Sequence, residues 1–176
     1  LDESGSMCSC DRCTYARSSA IILYDFCKAL HIPVTVYGHS TSGSSVELYS
    51  YAEFESIDND DKYRMMDIAA RGSNRDGAAL RFVAEQLVKR PEEVKILILV
   101  SDGQPAAPGY YGSAAEEDLR GIKQEYRRKG VLFIAAAIGE DKQNIERIYG
   151  DSFMDITDLN QLPVKLTAAV KRHMRV

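Results

Sequence analysis

No stretch of this sequence approaches the ~20 apolar residues that a membrane-spanning helix needs. There is no Gly-x-x-x-x-Gly-Lys-Ser/Thr loop and no Gly-x-Gly-x-x-Gly, so nucleotide binding has no motif to stand on. Cysteine is scarce, with four in all, three of them in "CSCDRC" at 8–13. Four are too few for a disulfide-built scaffold, which leads us to expect a reducing, cytoplasmic setting. The three histidines, His31, His39 and His173, lie far apart, and none adjoins a candidate nucleophile, so a Ser–His–Asp triad has no local basis. No internal repeat, low-complexity tract or interdomain linker is visible.

What is present belongs to an ordinary soluble domain. Hydrophobic residues are 45% and charged residues 27% of 176 positions, a length that fits one domain. A net charge of −4 gives no pull toward nucleic acid or an anionic membrane, and neither is expected as a partner. The closing "VKRHMRV" is locally basic and reads as a helix C-terminus complementing its own dipole.

Apolar periodicity divides the chain. Residues 14–30 place Ala16, Ala20, Leu23, Cys27 and Leu30 on one helical face, with Pro33 as the stop. "VTVYGHS" and "VELYSYA" flank the turn-forming "TSGSS" as a half-exposed hairpin. "DNDDKYRMMDIAAR" and "AALRFVAEQLVKR" read as helices on either side of "GSNRDG". "VKILILVSDG" and "VLFIAAAIG" are near-continuous apolar runs, as in strands buried on both faces of a parallel sheet. "AAEEDLRGIKQEYRRKG" carries acids in its first turn, bases in its last and a glycine stop, the pattern of a helix. "KQNIERIYG", "SFMDIT" and "QLPVKLTAAVKRHM" follow as helix, strand and helix. The alternation predicts an α/β fold, a doubly wound, mostly parallel open sheet with helices on both faces and one antiparallel edge strand. Such a sheet needs a central first strand, and only Leu1 stands before "DESGSM". We therefore expect one domain over 1–176 with its first strand cut short, as the C-terminal part of a longer chain.

In open α/β sheets, ligands bind beyond the carboxyl ends of the strands. Three polar clusters fall there: Asp2-Glu3-Ser4-Gly5-Ser6, then Ser73-Asn74-Arg75-Asp76-Gly77, then Ser101-Asp102-Gly103. The first offers oxygens at i, i+2 and i+4, and Gly5 lets the backbone bend so that alternate side chains face one point. All donors are oxygens, which suits Mg²⁺, Mn²⁺ or Ca²⁺ rather than copper or zinc.

This constellation resembles the metal-ion-dependent adhesion site (MIDAS) of von Willebrand factor A (VWA) domains, an Asp-x-Ser-x-Ser motif completed by a distant Thr and a later Asp. The motif falls on Asp2, Ser4 and Ser6, and the later Asp on Asp102. The family's Thr position, counted six back from Leu80, falls on Asn74, a departure from the family pattern. Asp76 is a second candidate ligand. Within the family, "DESGSM", "NRDGAALRFVAEQLVKRPEEVKILILVSDGQP" and "YYGSAAEEDLRGI" are most similar to the C-terminal VWA domains of cobaltochelatase T-type subunits and nitric oxide reductase activation proteins.

The resemblance implies a role in cobalamin biosynthesis or metalloenzyme activation. The domain would be a non-catalytic module beside an AAA+ ATPase of the MoxR or chelatase type. It would bind Mg²⁺ and, through it, an acidic residue of a partner protein. Tyr110 and Tyr111, after Asp102, are candidates for an aromatic rim at that interface, or else pack against their own helix. Three other readings stand beside it. A metal-dependent hydrolase would use the same ion with Glu3 or Asp76 as general base, and a structural VWA module would leave the site empty. Cys8, Cys10 and Cys13 would bind zinc or an iron–sulfur cluster. Asp58, Asn59, Asp60 and Asp61 lack the EF-hand glycine and glutamate and read as a solvated helix start.

Overall fold

In the computed structural model, residues 1–55, 58–103, 105–137 and 142–173 are described, with residues 172 and 173 described by their backbone alone. A 3₁₀ turn, Gly5–Cys8, leads into α1 (Arg12–Ala29). A hairpin follows, β1 (Val36–Ser42) and β2 (Ser45–Ala52), then α2 (Asp61–Met65) and α3 (Asp76–Val88). Strand β3 (Lys95–Ser101) is followed by a two-residue ribbon, β4 (Ala106–Ala107) and β5 (Tyr110–Tyr111), and by α4 (Gly112–Arg128). Then come β6 (Val131–Ala137), α5 (Lys142–Tyr149), β7 (Phe153–Asp155) and α6 (Leu162–His173).

Strands β3, β6 and β7 pair in parallel in that order. β1 and β2 pair antiparallel. The first three residues bridge the two sheets. Asp2 N donates to Val100 O at 2.9 Å, while Glu3 N donates to His39 O and His39 N to Leu1 O, both at 2.9 Å. Asp2 and His39 form a parallel bridge. Residues 1–3 thus run between β1 and β3, giving the order β2, β1, 1–3, β3, β6, β7. This is the expected α/β fold, doubly wound and mostly parallel, with β2 as the antiparallel edge. The junction between residues 1–3 and β3 is where the winding reverses, the usual place for a ligand in such sheets.

The apolar runs explain the layers. Leu97 and Leu99 of β3 and Phe133, Ala135 and Ala137 of β6 face α3, α4 and α5. The alternate residues Ile96, Ile98, Val100, Ile134 and Ala136 face α1 and α6 through Ala16, Leu162 and Leu166. Both faces are covered, so the strands read as continuous hydrophobe rather than alternation. Truncating one of these side chains, Leu99→Ala for example, should cost about 2–5 kcal/mol. A third cluster joins α1 to the hairpin and α2 through Ala20, Tyr24, Tyr51, Met65 and Ile68.

Three local expectations are corrected. The segment 58–71 is helical only over Asp61–Met65. Beyond it, backbone groups are claimed by other strands: Arg71 N donates to Glu3 O at 2.7 Å and Gly72 N to Ser40 Oγ at 2.8 Å. A helix there would forfeit these bonds. Helix α1 stops at Ala29, and Leu30 is 55% exposed rather than part of the buried face. The chain turns left-handed at His31, ahead of Pro33. The end of "VLFIAAAIG" and the side chains of the basic 172–176 run lie outside the described residues.

Candidate functional site

The Asp-x-Ser-x-Ser segment leaves the central strand position and turns at once into the 3₁₀ helix, which brings its alternate side chains together. Asp2 Oδ1 accepts from Ser4 N at 2.8 Å, an Asx turn that tightens the bend. Ser4 Oγ and Ser6 Oγ lie 3.0 Å apart. Ser6 Oγ donates to Asp102 Oδ1 at 3.1 Å. Gly5 N donates to Gly72 O at 2.7 Å, joining this turn to the loop that carries Asn74. Gly72 is required where it stands, because a β-carbon there would lie 1.9 Å from the Thr41 carbonyl oxygen.

Ser4, Ser6, Asn74 and Asp102 line an open cleft of about 440 Å³. Asp2 and Asp76 lie beneath it, 1% and 2% exposed. Asp2 Oδ2 accepts from Ser101 Oγ at 2.8 Å. Asp76 Oδ1 has no hydrogen-bond partner among the described residues and faces His39 Nε2 at 3.4 Å. Burial holds the Asp76 carboxyl well above the usual carboxylate range, reinforced by the charge of Asp2. Burial likewise drops His39 to about 4, so the imidazole is neutral at pH 7. Asp102 is raised by burial and by Asp2, against the opposing pull of Arg12.

The oxygens fit a small hard cation. Mg²⁺ takes oxygens at about 2.0–2.1 Å in an octahedron, which sets neighbouring oxygens about 3 Å apart. The Ser4–Ser6 and Ser6–Asp102 separations, 3.0 and 3.1 Å, match that edge. Among the described residues, no three His, Cys, Asp or Glu side chains are gathered closely enough to hold a metal ion. A cation here would therefore rely on hydroxyl oxygens beside the carboxylate. Cys8, Cys10 and Cys13 form no such group among the described residues either: Cys8 and Cys10 are exposed, and Cys13 turns its thiol to Ile68 O.

Asn74 joins the cluster with a different part of its amide from the one expected. Its Oδ1 accepts from Ala106 N at 2.7 Å, and its Nδ2 faces Asp2 Oδ2 at 3.4 Å and Asp76 Oδ2 at 3.3 Å. The backbone donor on one side and two carboxylates on the other fix that orientation. Asn74 braces the carboxylates beneath the cleft, and its oxygen does not point to the Ser4–Ser6–Asp102 cluster.

Several contributors were not expected from sequence. Arg12 donates to Asp102 Oδ2 at 2.8 Å and reaches Ser6 O at 3.4 Å. It stands in the first turn of α1, where a base opposes the helix dipole, and that misfit is the available signal. Ser101 and Ala106 brace Asp2 and Asn74. Glu3 is fully buried, with Tyr51 OH at 2.6 Å, Arg71 Nε at 2.7 Å and Ala69 N at 3.4 Å. Its carboxylate is saturated, which removes it as a general base. Tyr110 turns inward, its hydroxyl donating to Asp118 Oδ2 at 2.7 Å, whereas Tyr111 is 68% exposed. Asp58 pairs with Arg64 at the start of α2, and no described helix is long and apolar enough to cross a membrane.

Known proteins share this architecture. Proximal thread matrix protein 1 of the mussel byssus, solved with a zinc-occupied MIDAS motif, superposes with a TM-score of 0.60 at 21% identity over 97% of this chain and 45% of that one. The von Willebrand factor type A protein of Catenulispora acidiphila gives a TM-score of 0.59 at 15% identity over 96% of this chain and 40% of its own. In sequence, the Bacillus subtilis (strain 168) protein YojO is 25% identical over 98% of this chain and 29% of its own length. Protein NorD of Brucella suis biovar 1 (strain 1330) is 34% identical over 53% of this chain and 15% of its own. The chain thus spans less than a third of the length of YojO and of NorD. Residues 61–174 match the family described as the cobalamin biosynthesis protein CobT VWA domain. That match takes in α2 through α6, with Asn74, Asp76 and Asp102, and the chain belongs to the CobT VWA domain family.

Proposed function

We propose that this domain is a non-catalytic protein-interaction module that binds a divalent cation, Mg²⁺ first, through Ser4, Ser6 and Asp102. Asp2, Asn74 and Asp76 brace the site from below. The observation that carries this is the cluster of Ser4, Ser6 and Asp102 oxygens at octahedral-edge spacing on the floor of an open cleft. Two of the three donors are neutral, so a bound dication keeps uncompensated charge and open positions on the solvent side. A carboxylate from a partner protein satisfies both. Exposed Tyr111, paired in the ribbon with the cleft residue Ala106, would contribute an aromatic rim.

We further propose a partner of the AAA+ MoxR or chelatase type and a service to metal insertion or metalloenzyme activation in the cytoplasm, a reading consistent with a family described by cobalamin biosynthesis. The mussel protein's zinc adds Zn²⁺ to Mn²⁺ and Ca²⁺ as ions to compare. Calorimetric titration tests the site. Mg²⁺ or Mn²⁺ should bind with one ion per chain, and Ser4→Ala or Asp102→Asn should weaken binding at least tenfold. Absence of binding by the wild-type chain, or equal binding by both variants, would overturn the cation site. A MoxR-type ATPase should co-elute with the chain in Mg²⁺ and separate from it in EDTA.

A further inference from the structure

We propose that Arg12 is a built-in counter-cation of this site, competing with the divalent ion for Asp102 and so setting how readily the site loads. The inference rests on the cation-binding function proposed above and goes beyond it, because Arg12 belongs to neither the ligand set nor the bracing set.

Three independent observations point the same way. The first is the contact itself. Arg12 places a guanidinium nitrogen 2.8 Å from Asp102 Oδ2, the oxygen that Ser6 leaves free, while Ser6 holds Oδ1. The two side chains are 13% and 4% exposed, so the pair is shielded and its charges are felt strongly. The second is position. Arg12 opens α1, with Asp11 at the N-cap before it and no acidic residue in the first turn itself. A positive side chain there is repelled by the helix N-terminus, so its placement is explained by Asp102 rather than by the helix. The third is the backbone that delivers it. Cys10 and Asp11, immediately before Arg12, both lie in the left-handed region at φ 52° and 56°. Two successive non-glycine residues there are strained, and the turn they make sends Arg12 back toward Ser6 and Asp102.

A dication and a guanidinium cannot both sit against one buried carboxylate without mutual repulsion. Loading the site therefore requires Arg12 to leave Oδ2 or to share it at a cost. A carboxylate arriving from a partner offers Arg12 a replacement ligand, since guanidinium and carboxylate pair in a fork. Arg12 thereby couples ion loading to partner arrival.

The test is titration of Mg²⁺ and Mn²⁺ into the wild-type chain, Arg12→Gln and Arg12→Lys. Arg12→Gln should bind at least tenfold tighter than wild type, with Arg12→Lys closer to wild type because it keeps the charge. Damage to the fold works in the opposite direction, so tightening cannot arise from it, and thermal melting in EDTA confirms folding. If wild type binds the ion and Arg12→Gln binds equally or more weakly, the Arg12 inference is overturned while the cation site stands. If neither chain binds either ion, both fall together. Tight binding by Arg12→Gln where wild type binds only weakly is the strongest support.

Discussion

Ser6 and Asp102 stand 96 positions apart in sequence, and the Ser6 hydroxyl donates to Asp102 Oδ1 at 3.1 Å. That one bond joins the tip of the central segment to the tip of β3, the two ends that flank the reversal of the sheet. It exists because Asp2 N is bonded to Val100 O, which fixes the two tips side by side. In open α/β sheets this reversal is the usual place for a ligand, before any side chain is considered.

Glu3 is a structural member of the site. It is fully buried and holds Tyr51, Arg71 and the backbone at Ala69, thereby drawing the loop before Asn74 against the central segment. Gly38 makes room for it, since a β-carbon there would lie 1.7 Å from Glu3 Oε1. Glu3→Ala leaves the Tyr51 hydroxyl buried without an acceptor, while Arg71 can still reach water. The expected loss is about 2–3 kcal/mol by urea denaturation. A loss below about 0.5 kcal/mol, the range of neutral surface changes, would contradict this role.

The junction of α3, α4 and the Tyr110 loop should carry a pH signature. Asp118 pairs with Arg81 and accepts from Tyr110 OH at 2.7 Å. The Arg81 guanidinium holds its carboxyl below the usual range. A carboxyl lowered on folding stabilises above its unfolded pKa, about 3.9, and loses that contribution as pH falls through the folded value. Asp118→Asn should therefore melt below wild type at pH 7, with the gap closing as pH drops under about 4. A gap that stays constant from pH 7 to pH 3 would show that the charge is immaterial.

The thiols should divide into two pairs. Cys8 and Cys10 are exposed, Cys13 donates to Ile68 O at 3.4 Å, and burial pushes the Cys27 thiol up. A thiol-reactive dye should label Cys8 and Cys10 quickly and Cys13 and Cys27 slowly in the native chain, because the exposed thiols are accessible and Cys27 yields little thiolate. Rapid labelling of Cys27 in the folded chain would be inconsistent with its packing on α1.

Long apolar runs made the sheet legible in sequence. "KILILV" and "VLFIAAA" can be little else than strands covered on both faces, and the helices between them have length and capping patterns to match. That Asp2, Ser4, Ser6 and Asp102 would lie close together was legible as well, because all follow strand ends. What stayed hidden was long-range pairing. The segment after Met65 carries helix-forming residues, yet its backbone bonds go to Glu3 and Ser40, which no local pattern reveals. Asn74 lies beside Asp2 and Asp76, but the direction of its amide depends on Ala106 N, 32 positions away. Arg12 lay inside a run of cysteines that drew attention to sulfur. Its meeting with Asp102 needs the tertiary fold.

Crystals of the chain grown with MnCl₂ and measured at the manganese absorption edge test the cation site most directly. The expected result is one anomalous peak within coordination distance of Ser4 Oγ, Ser6 Oγ and an Asp102 carboxylate oxygen. Manganese bound elsewhere on the chain, with only water between Ser4, Ser6 and Asp102, would contradict it.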